Sequence, residues 1–364
     1  MNLKDTLQKI STKLNLNPSD KKYFLENLAL LVGSGISIMP ALESIGKEVK
    51  SKPMKRIIEK MVKDIDGGAN LSEALDDTGF FPSYVITLID IGEKSGSLPT
   101  NLKVIVERQD KDGNFRSKMS TALLYPSIIL SLTFTLGVFI TWFILPRLAT
   151  VFDGLNMEPP LITRIFLQIG EFLGTYGNIA VPSFVAVVFT LMYLLFGFSK
   201  TKFVGEELML RFPGVKRLII EVEISRFTFI LGTLLEAGLP IENALISLSE
   251  VKTLRRFSNL YKKLATDIPR GDSFSESFAT VKGLDRLIPN PIQQMIISAE
   301  QSAELPGILL KIGEIYEGRL DNTAKNLSVM LEPILLIIVW LGVLLIAVAI
   351  ILPIYSLVGN LNSY

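Results

Sequence analysis

The 364 residues include neither histidine nor cysteine. The side chains that most often serve as general base, thiolate nucleophile, zinc ligand or haem ligand are therefore missing. Few other candidates for chemistry remain. Gly46-Lys47-Glu48 lacks the upstream glycine and the hydroxyl of a phosphate loop, and Gly33-Ser34-Gly35 lacks the strand that a nucleotide site requires. Asp64-x-Asp66-Gly67-Gly68 has the start of a calcium loop, but its twelfth position is Leu75 rather than glutamate. Asp76-Asp77 and Glu206-Glu207 read as solvated helix faces, and no serine sits in a G-x-S-x-G elbow. The residue types predict no enzyme, no cofactor and no metal. With 37 basic and 36 acidic residues, no global charge draws the chain to nucleic acid.

One carboxylate lies in an unusual place. Glu332 is the only ionisable group in LEPILLIIVWLGVLLIAVAIIL, Leu331–Leu352, a run with the reach of a bilayer core of ~30 Å. It either caps the start of a transmembrane helix, where a carboxylate suits the positive end of the dipole, or pairs across a span or subunit boundary with a cationic or hydroxyl partner. A second apolar run, Leu123–Leu145, has the same punctuation: Tyr125-Pro126 stands against Glu332-Pro333, and Pro146 against Pro353, each shifted by 207 positions. Pro126 and Pro333 read as first-turn prolines, whose missing N–H would be unpaired there anyway. A third run, Ile179–Phe198, is also free of charge but diluted by Pro182 and Gly197.

The segments that position these runs also recur. Residues 1–122 carry 18 basic and 16 acidic side chains and show apolar residues at three- and four-residue spacing, punctuated by glycine. Residues 199–330 carry 17 and 16 and repeat the pattern. Leu31–Leu42 and Leu234–Leu245 agree at five of twelve positions, including Gly35/Gly238. Gly68-x-x-x-Ser72-Glu73 matches Gly271-x-x-x-Ser275-Glu276, and Glu93-x-Ser95-x-x-Leu98-Pro99 matches Glu300-x-Ser302-x-x-Leu305-Pro306. The offset grows from 203 to 207 between those blocks, which places a four-residue insertion near Lys282–Asn290. Gly35 and Gly238 read as helix termini or contact points, and Glu93 and Glu300 as capping or partner-binding carboxylates.

The expected fold class is an all-α membrane protein with two duplicated helical-bundle domains and three transmembrane helices. The expected boundaries are a first domain at 1–122, spans at 123–145, 179–198 and 331–352, and a second domain at 199–330. A connection at 146–178 contains an amphipathic helix after Pro159-Pro160, and a tail occupies 353–364. Only Arg147 and Arg164 lie between the first two spans, and no Lys or Arg follows Pro353. The positive-inside rule then puts both domains in the cytoplasm and the tail in the periplasm. The N-terminal residues lack the apolar core of a signal peptide and are expected to stay in the mature protein. The spans hold no ionisable group near mid-membrane, which argues against the main alternative, a small transporter or channel subunit.

YPSIIL (Tyr125–Leu130), LPRLATVF (Leu145–Phe152), PPLITR (Pro159–Arg164), LEPILL (Leu331–Leu336) and LPIYSL (Leu352–Leu357) resemble signatures of the type II secretion F-protein family. IGEKSGSLPTNL (Ile91–Leu102) and AGLPIENAL (Ala237–Leu245) add to the resemblance. One departure is that Ala299 and Ala303 stand where the family's G-E-x-S-G pattern has glycines. The resemblance implies a platform in the bacterial inner membrane for assembling a type IV pilus or secretion pseudopilus. It further implies about six helices per cytoplasmic domain and a homo-oligomer. Expected partners are a hexameric cytoplasmic ATPase, pilin or pseudopilin subunits and other inner-membrane assembly proteins.

Overall fold

The computed structural model describes residues 17–144, 147, 161–196, 205, 207, 210 and 213–361. Expectations for the N-terminal 16 residues, for Pro146 and for the 148–160 stretch lie outside the described residues. Every regular element among those described is helical. The chain divides into two compact units. One joins the residues up to Arg116 with Ile219–Leu320, and the other joins Ser117–Leu218 with Asp321 onward.

The first unit opens with α1 (Pro18–Gly33), α2 (Ile38–Glu48), α3 (Lys52–Asp66), α4 (Leu71–Asp76), α5 (Ser83–Ser95) and the start of α6 (Leu98–Phe139). Its other helices are most of α8 (Pro213–Glu236), then α9 (Ile241–Ser249), α10 (Arg255–Asp267), α11 (Phe274–Ala279), α12 (Asn290–Gln301) and the start of α13 (Leu305–Leu361). Side-chain spacing explains the packing. Met54, Ile57, Ile58 and Met61 recur at i, i+3, i+4 and i+7 along α3 and are buried, while Lys52, Lys55, Arg56 and Lys60 face water. On α10 the buried set is Phe257, Leu260, Tyr261 and Leu264, each 203 positions later. Ala41, Leu42 and Ile45 on α2 correspond in the same way to Ala244, Leu245 and Leu248 on α9.

Caps set the helix ends. The Asn17 side chain accepts from the Ser19 N–H, and Pro18 occupies the first turn of α1. At the other end Gly35 adopts a left-handed φ of 84°, and the Ile36 N–H donates back to the Leu31 carbonyl at 3.0 Å. Gly238, φ 86°, terminates α8 with the matching bond from Leu239 to Leu234, again 3.0 Å.

The second unit contains the rest of α6, a π-helical turn at Ile140–Ile144, α7 (Leu161–Phe196) and the rest of α13. Among the described residues one helix, α6, is long and apolar enough to cross a membrane, and a shorter apolar stretch, Glu332–Leu344, lies in α13. Large apolar side chains of both helices are exposed, Leu132 by 65 % and Trp340 by 63 %.

Three features of the long helices bear on the sequence expectation. The boundary drawn between 122 and 123 falls inside α6, because the helix runs on where side-chain polarity changes. The amphipathic stretch after Pro160 and the run from Ile179 form one helix, α7, with Pro182 inside it. Pro126 and Pro333 are likewise interior to α6 and α13 and do not begin them. An interior proline leaves the carbonyl four residues earlier without its helical donor.

Candidate functional site

The repeated carboxylates serve the shortest helices. Glu93, on α5, accepts the Leu71 N–H at 2.7 Å and the Ser72 N–H at 2.9 Å, both at the start of the six-residue α4. Glu300, on α12, accepts the Phe274 N–H at 3.0 and 3.1 Å at the start of α11, also six residues long. The first N–H groups of a helix have no intrahelical acceptor, and a carboxylate there also meets the positive end of the dipole. Each helix also carries a local capping box, from Asn70 to Glu73 and from Ser273 to Glu276. The Ser273 backbone N–H and hydroxyl both donate to Glu276 and hold its carboxyl below the usual value.

Gly35 and Gly238 have nothing within 4 Å of the position a Cβ would take. Their positive φ makes them chain-reversal residues. In the second set the turn after α12 persists without glycine: Ala303 adopts φ 58° where Gly96 has 72°. The helix spacing there differs as well. A Cβ on Gly92 would stand 2.7 Å from the Leu98 Cα, whereas Ala299, at the corresponding place, is accommodated with 2 % exposure.

In the second unit, three residues singled out from the sequence come together. Tyr125, Pro126 and Glu332 line a cavity of about 630 Å³ between α6 and α13, with Lys118 and Lys325 on its wall. Lys118 donates to both oxygens of Asp321 at 2.8 Å. Glu332 is exposed and has no hydrogen bond or ion pair among the described residues. The cavity can therefore offer a carboxylate, a phenol and two ammonium groups, with the hydroxyls of Ser117 and Thr121 among its remaining lining. Pro333 is exposed next to it, and Pro353 belongs to the backbone of α13 farther on. No cluster of potential metal ligands exists among the described residues.

Sequence reasoning missed a buried charge. Arg108, on α6, pairs with Glu317 on α13 at 2.9 Å with its side chain only 7 % exposed. In the sequence it sits within Glu107-Arg108-Gln109-Asp110-Lys111-Asp112, which reads as a solvated face. Only the apolar positions Leu98, Leu102 and Ile105, continued by one more turn, would have pointed inward at 108.

The model of one family, described as type II secretion system (T2SS) protein F, matches twice, at residues 24–146 and 227–353. The chain belongs to the protein F family. The two segments matched in this protein F family member begin at Phe24 and Phe227, both buried in the first unit. Among its relatives is the "Type IV pilus assembly protein PilC" of Pseudomonas aeruginosa, 26 % identical over 348 residues, which cover 95 % of this chain and 91 % of the relative. A protein of the same name from Thermus thermophilus is 24 % identical over 94 % of this chain and 84 % of its own. The "Type II secretion system protein F" of P. aeruginosa is 26 % identical, also over 94 % of this chain and 84 % of its own.

Proposed function

We propose that this protein is a polytopic inner-membrane platform for assembling a type IV pilus or a type II secretion pseudopilus, and that it couples a cytoplasmic ATPase to insertion of pilin-like subunits. The observation that carries this reading is the double match to one family, whose relatives are named for pilus assembly and for type II secretion. The role is mechanical, with the chemical energy supplied by the ATPase.

The proposed architecture is an internal duplication, each copy a six-helix cytoplasmic bundle followed by a membrane leg. It is supported by the helix order α1–α6 and α8–α13, by the recurring buried positions and by the paired glutamate caps. The legs are Leu123–Leu145 and Leu331–Leu352. A middle span in Ile179–Phe198 returns the second bundle, 199–330, to the side of the first, 1–122. This leaves the amino end cytoplasmic and the tail 353–364 periplasmic, as the lysine and arginine distribution requires.

Deleting the gene should abolish pilus or secretion output while the ATPase protein persists, and normal fibre assembly in the deletion strain would reject the platform. A reporter fused after Tyr364 should read periplasmic and one inserted near Lys252 cytoplasmic; the reverse result would overturn the topology.

A further inference from the structure

The buried arginine of the first unit has a set of partners unlike that of the surface charges around it. Arg108 Nε meets Asp112, on its own helix, at 3.3 Å. Every other partner belongs to α8 or α13. Arg108 Nη1 donates to Glu317 at 2.9 Å and to Ser225 at 3.3 Å, and the guanidinium lies 4.8 Å from the centre of the Phe229 ring. Lys111 donates to the second oxygen of Glu317 at 2.6 Å. At a separate place, the hydroxyls of Thr87 on α5 and Ser247 on α9 stand 3.1 Å apart. One continuous cluster of buried apolar side chains runs from Phe24–Ile105 into Ile224–Tyr316.

We propose that Arg108 is a latch that holds the 17–116 and 219–320 segments as one rigid body, so that the first unit moves without an internal hinge. Separating the segments would withdraw Glu317, Ser225 and Phe229 together from a guanidinium that cannot shed its charge. Only Asp112 would remain beside it. Breaking a buried pair strands the surviving charge, which is far more unfavourable than opening an exposed one. The contrast within the same unit is Lys22–Asp110, 2.6 Å apart but 41 % and 42 % exposed, which water can replace. A lysine at 108 could not serve in the same way, because its single nitrogen cannot replace an Nη1 that reaches Glu317 and Ser225 together with an Nε that meets Asp112.

The absence of cysteine makes the test clean. Spin labels on Glu59→Cys and Lys262→Cys, exposed sites on α3 and α10, would report the distance between the segments in the full chain in lipid nanodiscs. The latch predicts one narrow distance population in this parent and in Lys22→Gln. A second, longer population should appear in Arg108→Gln and in Glu317→Gln with helix content unchanged. Two populations in the parent would overturn it, as would a single unchanged population in Glu317→Gln. If Arg108→Gln fails to fold, Glu317→Gln, which keeps the guanidinium in place, decides alone.

Discussion

Gly96 and Ala303 occupy corresponding left-handed turns, φ 72° and 58°, 207 positions apart. Left-handed backbone costs a residue with a Cβ about 1–2 kcal/mol, part of which a glycine would return as unfolded-state entropy. Ala303→Gly should therefore stabilise the protein by about 0.5–1 kcal/mol, and Gly96→Ala should destabilise it by about 1 kcal/mol. Chemical denaturation followed by circular dichroism measures both, and a loss of stability in Ala303→Gly would refute the strain.

Removing the Glu93 carboxylate should loosen α4, and removing Glu300 should loosen α11. Each substitution to alanine is expected to destabilise by about 1–2 kcal/mol, the range for a lost helix cap. Amide exchange should rise at Leu71 and Ser72 in Glu93→Ala and at Phe274 in Glu300→Ala. Exchange that rises evenly across the first unit would argue against a local cap.

Four tyrosines are held above their usual value, Tyr84 and Tyr261 most strongly. Burial pushes the Tyr84 phenol up to about 12, helped by the Asp112 charge. Burial also holds Tyr261, stacked on Phe227 with ring centres 5.7 Å apart, well above its usual value of 10.0, with the Glu223 charge adding to the effect. Because both folded values lie above the unfolded one, their contribution to stability is complete below pH 10 and declines as pH rises beyond it. Absorbance at alkaline pH should show the Tyr84 and Tyr261 phenols ionising together with unfolding, and a smaller step at unfolding in Tyr261→Phe. A step at unfolding of equal size in the parent and in Tyr261→Phe would contradict this.

Glu332 supplies the functional test of the cavity beside α6. Glu332→Gln should insert normally, because the loss of an exposed carboxylate eases burial, and should lower pilus or secretion output. Full output would show that the carboxylate, interior to α13, takes no part in assembly.

Much of the first unit could be read from the sequence. Helices α3 and α10 follow from apolar spacing alone, and the ends of α1 and α8 follow from Gly35 and Gly238. The long-range contacts could not be read this way. The N–H groups that Glu93 receives lie 21 and 22 residues earlier, beyond any local capping motif. Arg108 and Glu317 are 209 positions apart, each within a charged stretch that resembles a surface. The start of α6 was hidden because Pro126, after an abrupt loss of charge, has the appearance of a helix beginning. Glu332 stands out in the sequence and shares a helix with Lys325, but its placement with Lys118 depends on α6 and α13 lying side by side.

The ten residues between α11 and α12 outnumber by four those between α4 and α5. They are not slack. Leu284, Leu287 and Ile288 are buried, and Gln293 donates to Asp285 at 3.0 Å and to the Ile288 carbonyl at 2.7 Å. The longer connection has become a small wedge that packs into the core of the first unit and is held by its own hydrogen bonds. Trimming it to the length of its counterpart would therefore open a hole, and a tag or reporter is better placed elsewhere.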